Sequence, residues 1–330
     1  MDGQLRVELA DLRGWAGQVD RAGDDCAYLA AYLRTFVPDG DFGRILSLIT
    51  SEYEQLVERA HTWLEESGRR LGTAGGALHL CAARYARTDG LVARDLGPAV
   101  SADDGRVSRR FRDTATATPV APVCEGEVLP VVSLGWGFEQ VCDFMAHWGG
   151  PDLRAELVDL VAGDVGKALG QASAWEHAGE SLAAVRANLV VGSAAAARTW
   201  QGRAATSARD HVQEWVDQLG LKSDALDQVA QHLRDAVTQA VDVAQLVADV
   251  IQQLIAAVAA GYGFAAIPIF GQVQLVNKGK DLLRLVLDAR KVILVFWTFL
   301  VALRDCFVLL ADGFSAASLP DAAELPWGTR

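Results

Sequence analysis

Residues 190–209 read VVGSAAAARTWQGRAATSAR, with the triplet Trp200, Gln201 and Gly202 near their centre. Long alanine-rich segments with apolar residues at helical spacing lead up to this triplet and continue after it, which predicts two long helices. A glycine permits the backbone conformation that a tight exit from a helix requires, and a tryptophan supplies a large apolar ring to fix the turn. The triplet therefore predicts a sharp turn between two antiparallel helices.

The same W-x-G pattern occurs twice more, at Trp15-Ala-Gly17 and at Trp148-Gly-Gly150. Trp15 falls inside an apolar heptad run, and Trp148 ends a short segment just before Pro151. Trp200 alone lies midway between two long helical patterns. Its position, rather than the pattern itself, distinguishes this triplet.

The length of 330 residues predicts about two domains, and an apolar fraction of 51% predicts a globular chain with a sizeable core. The net charge of -12 argues against a nucleic-acid partner. The N-terminal residues MDGQLRVE lack a basic region followed by an apolar one, so we expect no cleaved signal peptide. The five cysteines are scattered and lack C-x-x-C spacing, which favours buried free thiols over disulfides or a zinc site.

Residues 1–95 are predicted to form a helical hairpin. Apolar residues keep a seven-residue repeat from Leu5 to Val37, which is typical of a coiled-coil-like seam. The sequence PDGDFG at 38–43 ends that helix, and a second helical pattern follows through Tyr85 to Asp89. We expect the glycines at 72, 75 and 76 to loosen the second helix.

Residues 96–132 contain several prolines and a Thr-Ala repeat, which predicts a linker. Their basic cluster is interpreted as a solvated segment without a function of its own: Arg106, Arg109, Arg110 and Arg112.

Residues 133–262 are predicted to form the W-x-G hairpin domain. Two short helices, between Leu134 and Trp148 and from Pro151 to Gly163, precede a long helix that Asp164 caps and that ends near Thr199. The return helix keeps one apolar heptad track over six repeats, which indicates packing against other helices. The track consists of Leu219, Leu226, Leu233, Ala240, Val247 and Leu254.

Residues 263–330 form the most apolar part of the chain. No charge occurs between Asp249 and Lys278, but glycines and a proline interrupt that run. A second run, Val292–Leu303, is only about twelve residues long, short of the roughly 18 that a membrane span requires. A narrow polar stripe follows Asp281, so we expect a mostly buried helix with one wet edge. Membrane insertion of this region is the alternative.

No catalytic or metal-binding motif is present. The six histidines stand singly in helical contexts, and no H-E-x-x-H, G-x-S-x-G or phosphate-binding glycine loop occurs. The nearest constellation, Asp210-His211 beside Glu214, is interpreted as a solvated helix face. We therefore expect no enzyme activity, no cofactor and no metal, while an active site assembled from distant residues stays open.

A helical hairpin with a W-x-G turn and no signal peptide resembles the W-x-G superfamily, which type VII (ESX) secretion systems of Gram-positive bacteria export. Residues 164–260 have this likeness, through Trp200 and Gly202, and residues 163–175 look like the approach to this turn in large actinobacterial effectors. Residues 1–95 resemble a divergent, secretion-associated hairpin. There Phe42-Gly43 stands where W-x-G would be, and Tyr85-x-x-x-Asp89 is similar to the family's Y-x-x-x-[DE] export signal.

In that family the export signal is understood as bipartite, with the turn of one hairpin beside the Tyr/Asp tail of its partner. Residues 1–95 have the Tyr85 and Asp89 pair without the Trp turn, and the second hairpin has the Trp turn without such a pair. The resemblance therefore implies an intramolecular pseudo-heterodimer, an antiparallel bundle with Trp200 within about 16 Å of Tyr85. Tyr85 as an ordinary core aromatic is the alternative.

We expect an all-α fold of elongated antiparallel hairpins in a bundle, with an apolar C-terminal helical region. The resemblance implies a non-enzymatic type VII secretion substrate, or the targeting and carrier module of a secreted effector. Its implied partners are the motor ATPase of that system and a small W-x-G protein or a fused or associated toxin. The open alternatives are a membrane-active or pore-forming protein that inserts its tail, and a toxin with unrecognised catalysis.

Overall fold

A computed structural model describes residues 6–96, 105–123, 163–262 and 271–323, with a few isolated positions between 139 and 152. This part of the chain has five long helices, in the order α1 Leu9–Phe36, α2 Thr50–Leu96, α3 Val165–Thr199, α4 Arg203–Tyr262 and α5 Gly271–Gly313. Two short strands, β1 Arg6–Val7 and β2 Trp200–Gln201, form a small sheet. The predicted all-α class is confirmed. The short helices predicted between Leu134 and Gly163 fall almost entirely outside the described residues.

Helices α1 and α2 form the first antiparallel hairpin. The heptad track of α1 is buried, as the repeat predicts: Leu12, Val19, Cys26 and Leu33. In the turn that follows, Phe42 is buried with its ring 5.3 Å from that of Tyr53, and Gly43 has a φ of 83°. The pattern therefore places both helices and the turn between them correctly.

Helix α2 runs without a break past Gly72, Gly75 and Gly76, where the sequence predicts loosening. A methyl group at Gly75 would collide with the carboxylate of Asp20 on α1. This glycine lets the two helices approach closely, and the prediction of a loosened helix is wrong.

Helices α3 and α4 form the second hairpin around the Trp200 turn. Asp164 caps α3 as predicted, its side chain accepting a hydrogen bond from the Lys167 backbone N–H at 2.9 Å. All six residues of the predicted heptad track on α4 are buried. Helix α4 has 60 residues, which corresponds to a length of about 90 Å.

The two hairpins pack side by side and share one hydrophobic core among the described residues. At the end where α1 finishes and α3 begins, a buried hydrogen-bond network joins them. The Tyr53 hydroxyl donates to Gln171 Oε1 at 2.5 Å and accepts from Trp175 Nε1 at 2.8 Å. At the opposite end, α1 lies beside the Trp200 turn, so α1 and α3 are antiparallel.

Residues 105–123, which we call the strap, lie on the bundle, although the sequence predicts a solvated linker there. Phe111 is buried against Gly14 of α1, where a methyl group would come within 2.7 Å of its ring. The Asn188 side chain on α3 accepts hydrogen bonds from the Thr114 and Ala115 N–H groups, both at 2.9 Å. The strap is held by hydrogen bonds from helix side chains to its backbone. It therefore has no regular apolar pattern in the sequence, and its composition indicates only a linker.

Helix α5 packs antiparallel on α4 and also contacts α2. Its C-terminal end is held by Lys222, whose Nζ donates to the Gly313 carbonyl at 2.7 Å. The ring of Phe307 lies 5.5 Å from that of Tyr53, so α5 also reaches the network between the hairpins.

The outward face of α5 differs from the mostly buried helix that the sequence predicts. Within the described residues, the stretch Arg284–Gly313 is long and apolar enough to cross a membrane, and only 28% of its apolar window is buried. Large side chains point outward, with Leu294 57%, Val295 70% and Leu309 72% exposed. The apolar stretch continues past Arg304 and Asp305, the charged pair that ends the run Val292–Leu303 in the sequence.

Candidate recognition site

The W-x-G triplet forms the predicted turn between α3 and α4. The Trp200 backbone is extended, with φ of -126° and ψ of 118°, and its N–H still donates to the Ala196 carbonyl at the end of α3. Gly202 has a φ of 114°, a conformation that residues with a Cβ rarely adopt. Its carbonyl accepts from the Thr206 N–H at 3.0 Å, which starts α4. The glycine is therefore required by the backbone, as the triplet predicts.

A short β-bridge to the N-terminus fixes this turn. Val7 pairs with Trp200 and Arg6 pairs with Gln201, in antiparallel register. The Glu8 N–H adds a hydrogen bond to the Thr199 carbonyl at 3.1 Å. Two residues are too few to give a strand signal in the sequence, and this contact was not predicted.

Trp200 lies between aromatic rings of both helices of the first hairpin. Its ring is T-shaped to Trp15 of α1, with centroids 6.0 Å apart, and T-shaped to Tyr85 of α2 at 6.4 Å. The predicted proximity of Trp200 and Tyr85 is therefore observed. The heptad run in the sequence predicts only a core position for Trp15, and the structure shows that its ring also completes this cluster.

The three aromatic rings differ in exposure. Trp15 and Trp200 are buried, at 0% and 2% exposure, whereas Tyr85 is only partly buried at the edge of the core. Tyr85 is thus neither a fully buried core residue nor a free surface side chain. A protein approaching this end would touch Tyr85 and the exposed Gln201 before it touched the Trp200 ring.

Asp89 lies one helical turn beyond Tyr85 on α2, and its side chain is exposed. Residues four apart share a face of a helix, so Asp89 extends the surface that Tyr85 begins. Gly202 is half-buried and follows Trp200 by two residues in the turn. The four predicted site residues therefore lie at one end of the bundle, Tyr85 in ring contact with Trp200 and Asp89 on the adjoining surface.

Several buried polar atoms around the turn have no hydrogen-bond partner among the described residues. They are Trp15 Nε1, Gln18 Oε1, Thr199 Oγ1 and Trp200 Nε1. An unsatisfied buried polar group costs about 1–3 kcal/mol, so this cluster does not hold the turn by hydrogen bonds. Ring packing, the β-bridge and Gly202 define its geometry instead.

A groove with a volume of about 810 Å³ lies beside Trp200, between α2, α4 and the C-terminal residues 321–323. Small side chains form much of its wall: Ala74, Ala77, Ala204, Ser207 and Ala208. His211 and Glu214 are also part of this wall, although the sequence assigns them to a solvated face. His211 is partly buried and accepts from Trp215 Nε1 at 3.2 Å, and its pKa is lowered because burial disfavours the charged ring. A groove between helices distant in sequence has no local sequence signal.

The described part of the chain shows no cluster of titratable side chains of the kind that binds a metal ion. Within it, no group of three or more His, Cys, Asp or Glu could hold a metal ion. Cys26 is a buried free thiol, and burial raises its pKa to about 12, which keeps it protonated and unreactive. The arrangement at the Trp200 turn is suited to binding through aromatic and charged surface groups.

Comparisons with protein-family models, with curated proteins and with solved structures found no match to this chain.

Proposed function

We propose that this chain is a non-enzymatic substrate of type VII secretion, or the targeting and carrier module of a secreted effector. The observation that supports the proposal is the ring contact between Trp200 and Tyr85, at 6.4 Å, in which the second hairpin supplies the turn and the first supplies the Tyr. Each hairpin lacks the half that the other provides. One chain thereby combines the two parts of a bipartite export signal.

In this proposal the motor ATPase of the secretion system binds the exposed part of the site. That part consists of Tyr85, Asp89 and Gln201, since Trp200 is only 2% exposed and acts by positioning them. The first hairpin occupies the place of a separate small W-x-G partner. The remaining expected partner is a toxin, fused or associated, that the module accompanies out of the cell.

An export assay tests the proposal. We expect the full chain to leave an actinobacterial host that has its type VII ATPase and to stay inside a host that lacks it. Asp89→Asn should reduce export because it removes the carboxylate of the proposed signal. Asp89 is exposed, so the change should leave the core intact. Glu58→Gln, at an exposed site on the same helix, should export normally. Export that does not depend on the ATPase would overturn the proposal.

A second candidate function rests on the outward apolar face of α5. We propose as the alternative that this face binds or enters a lipid bilayer, because side chains such as Val295 and Leu309 are 70% and 72% exposed. Vesicle flotation of the full chain checks it. Val295→Glu with Leu309→Glu should abolish flotation, whereas Val120→Glu, at an exposed position on the strap, should not. Absence of flotation by the unmodified chain would exclude this candidate.

A further inference from the structure

The end of the bundle at the Trp200 turn is unusually rich in exposed arginines. Six of them form no ion pair among the described residues: one comes from each of β1, α2, the last turn of α3 and the start of α4, and two come from the strap. We call this surface the basic end: Arg6, Arg87, Arg198, Arg203, Arg109 and Arg112. The whole chain has a net charge of -12, so these arginines lie on a molecule that is acidic as a whole.

The contacts already described bring these arginines together. Arg6 pairs with Gln201 across the β-bridge, and Arg203 directly follows Gly202. The strap reaches the same end because the Ser108 N–H donates to the Ala10 carbonyl, in the first turn of α1, at 2.9 Å. These contacts place Arg6, Arg203 and the start of the strap at the end of the bundle that holds the Trp200 and Tyr85 contact.

The six arginines of the basic end lack ion-pair partners. Among the described residues, none of the six forms an ion pair, although Arg110 of the strap pairs with Asp11. Several exposed cations at other places face a carboxylate, in the pairs Arg34–Glu65, Arg59–Asp312, Arg69–Glu66 and Lys291–Asp288. No ion pair within the described residues therefore neutralises these six arginines.

Arg203 also stands where a cation opposes helix stability. It is the first residue of α4, and the positive end of the helix dipole disfavours a basic side chain there. The first turn of α4 contains no acidic residue to compensate. The helix dipole therefore does not explain an arginine at this position.

We propose that the basic end is a docking surface for an acidic protein surface, whose carboxylates surround the point where Tyr85 is bound. Guanidinium groups form paired hydrogen bonds with carboxylates, and a positive end on a negative molecule orients an approaching acidic partner toward that end. This inference rests on the proposed function, whose partner it describes: the protein that reads the export signal presents acidic residues around its binding site.

The chemistry of the basic end favours a polypeptide with carboxylates over a nucleic acid or a membrane. Exposed acidic side chains lie among the arginines, at Glu8, Asp89 and Asp210. A nucleic-acid backbone or an anionic membrane would meet these carboxylates together with the net charge of -12. A polypeptide, whether a folded surface or a poly-glutamate chain, can place its carboxylates on the arginines and away from these three residues.

Charge reversal in the full chain tests the proposal, with poly-glutamate as the acidic probe. The triple variant Arg87→Glu, Arg198→Glu and Arg203→Glu should bind the probe at least about tenfold more weakly than the natural chain, and added salt should weaken the natural chain in the same way. The control is a triple variant with the same change of charge at other exposed sites: Arg34→Glu, Arg69→Glu and Lys291→Glu. It should bind the probe as the natural chain does. Circular dichroism and the unfolding temperature report whether each variant folds. If the triple Glu variant does not fold, Arg→Gln changes at Arg87, Arg198 and Arg203 take its place.

The outcomes separate this inference from the proposed function. Equal loss of binding in both triple variants would overturn the docking surface, because net charge rather than location would then decide binding. Tighter binding to phosphatidylserine vesicles or to single-stranded DNA than to poly-glutamate would also overturn it, in favour of a membrane or nucleic acid. Export independent of the ATPase, combined with probe binding that requires the three arginines, would overturn the proposed function and leave the acidic-partner inference standing.

Discussion

The ring of Trp200 meets the ring of Tyr85 edge to face, with centroids 6.4 Å apart, where the two hairpins join. Such aromatic pairs contribute about 0.5–1.5 kcal/mol beyond the burial of their surface. Because the two residues belong to different hairpins, their contact makes the stability of the W-x-G turn depend on the first hairpin. The same contact fixes the position of the partly buried Tyr85.

A double-mutant cycle measures this dependence. We expect Trp200→Leu and Tyr85→Leu to interact by about 0.5–1.5 kcal/mol in the free energy of unfolding, determined with urea. The control cycle pairs Trp200→Leu with Tyr28→Leu, whose ring is 53% exposed on α1. That pair should be additive. Equal interaction energies in the two cycles would contradict a specific contact between Trp200 and Tyr85.

Close packing of α1 and α2 predicts opposite effects of two glycine substitutions. A methyl group at Gly23 would lie 2.8 Å from the Gly68 carbonyl oxygen, and backbone atoms cannot turn aside. Gly23→Ala should therefore lower the free energy of unfolding by about 1–3 kcal/mol. At Gly72 a methyl group meets nothing within 4 Å, so Gly72→Ala should raise it by about 0.5–1 kcal/mol. Equal effects, measured by urea denaturation, would refute the close approach at Gly23.

The sequence predicts the helices well, and also the pairing of consecutive helices into hairpins. Apolar periodicity shows directly which face of a helix is buried. Leu219 and Leu254 mark one such track and are both fully buried. The proximity of Trp200 to Tyr85 followed from the family resemblance, since periodicity does not tell which helices of different hairpins meet. The structure agrees with that proximity.

The parts that the sequence does not predict depend on contacts without a local pattern. The β-bridge uses only Arg6 and Val7, and the strap is held by single side chains such as Asn188. The position of Trp15 in the heptad repeat suits an ordinary core residue and a residue of the aromatic cluster equally well. Its spacing therefore does not reveal its contact with Trp200. The arginines of the basic end are far apart in the chain and become a surface only when the helices pack.

The buried network at the other end of the hairpins predicts a loss of stability in Tyr53→Phe. The hydroxyl satisfies both Gln171 Oε1, at 2.5 Å, and Trp175 Nε1, at 2.8 Å. Removing it leaves two buried polar atoms without that partner, which should cost about 1–3 kcal/mol in the free energy of unfolding. Tyr28→Phe, at an exposed hydroxyl, should change it by less than about 0.5 kcal/mol. A neutral Tyr53→Phe would show that the network does not hold the hairpins together.

Lys222 predicts a pH-dependent contribution to stability. Burial between Trp63 and Phe314 lowers its pKa below the usual 10.5. The unfolded chain then binds the proton more tightly than the folded chain. The contribution of Lys222 to the free energy of unfolding therefore increases as the pH rises from the lowered pKa to 10.5. Urea denaturation at several pH values should show Lys222→Met losing that gain, so that the natural chain improves relative to the variant with rising pH. The Cys26 thiol, whose pKa burial raises to about 12, acts in the opposite direction but is present in both proteins and cancels. A difference between the two proteins that stays constant with pH would refute the prediction.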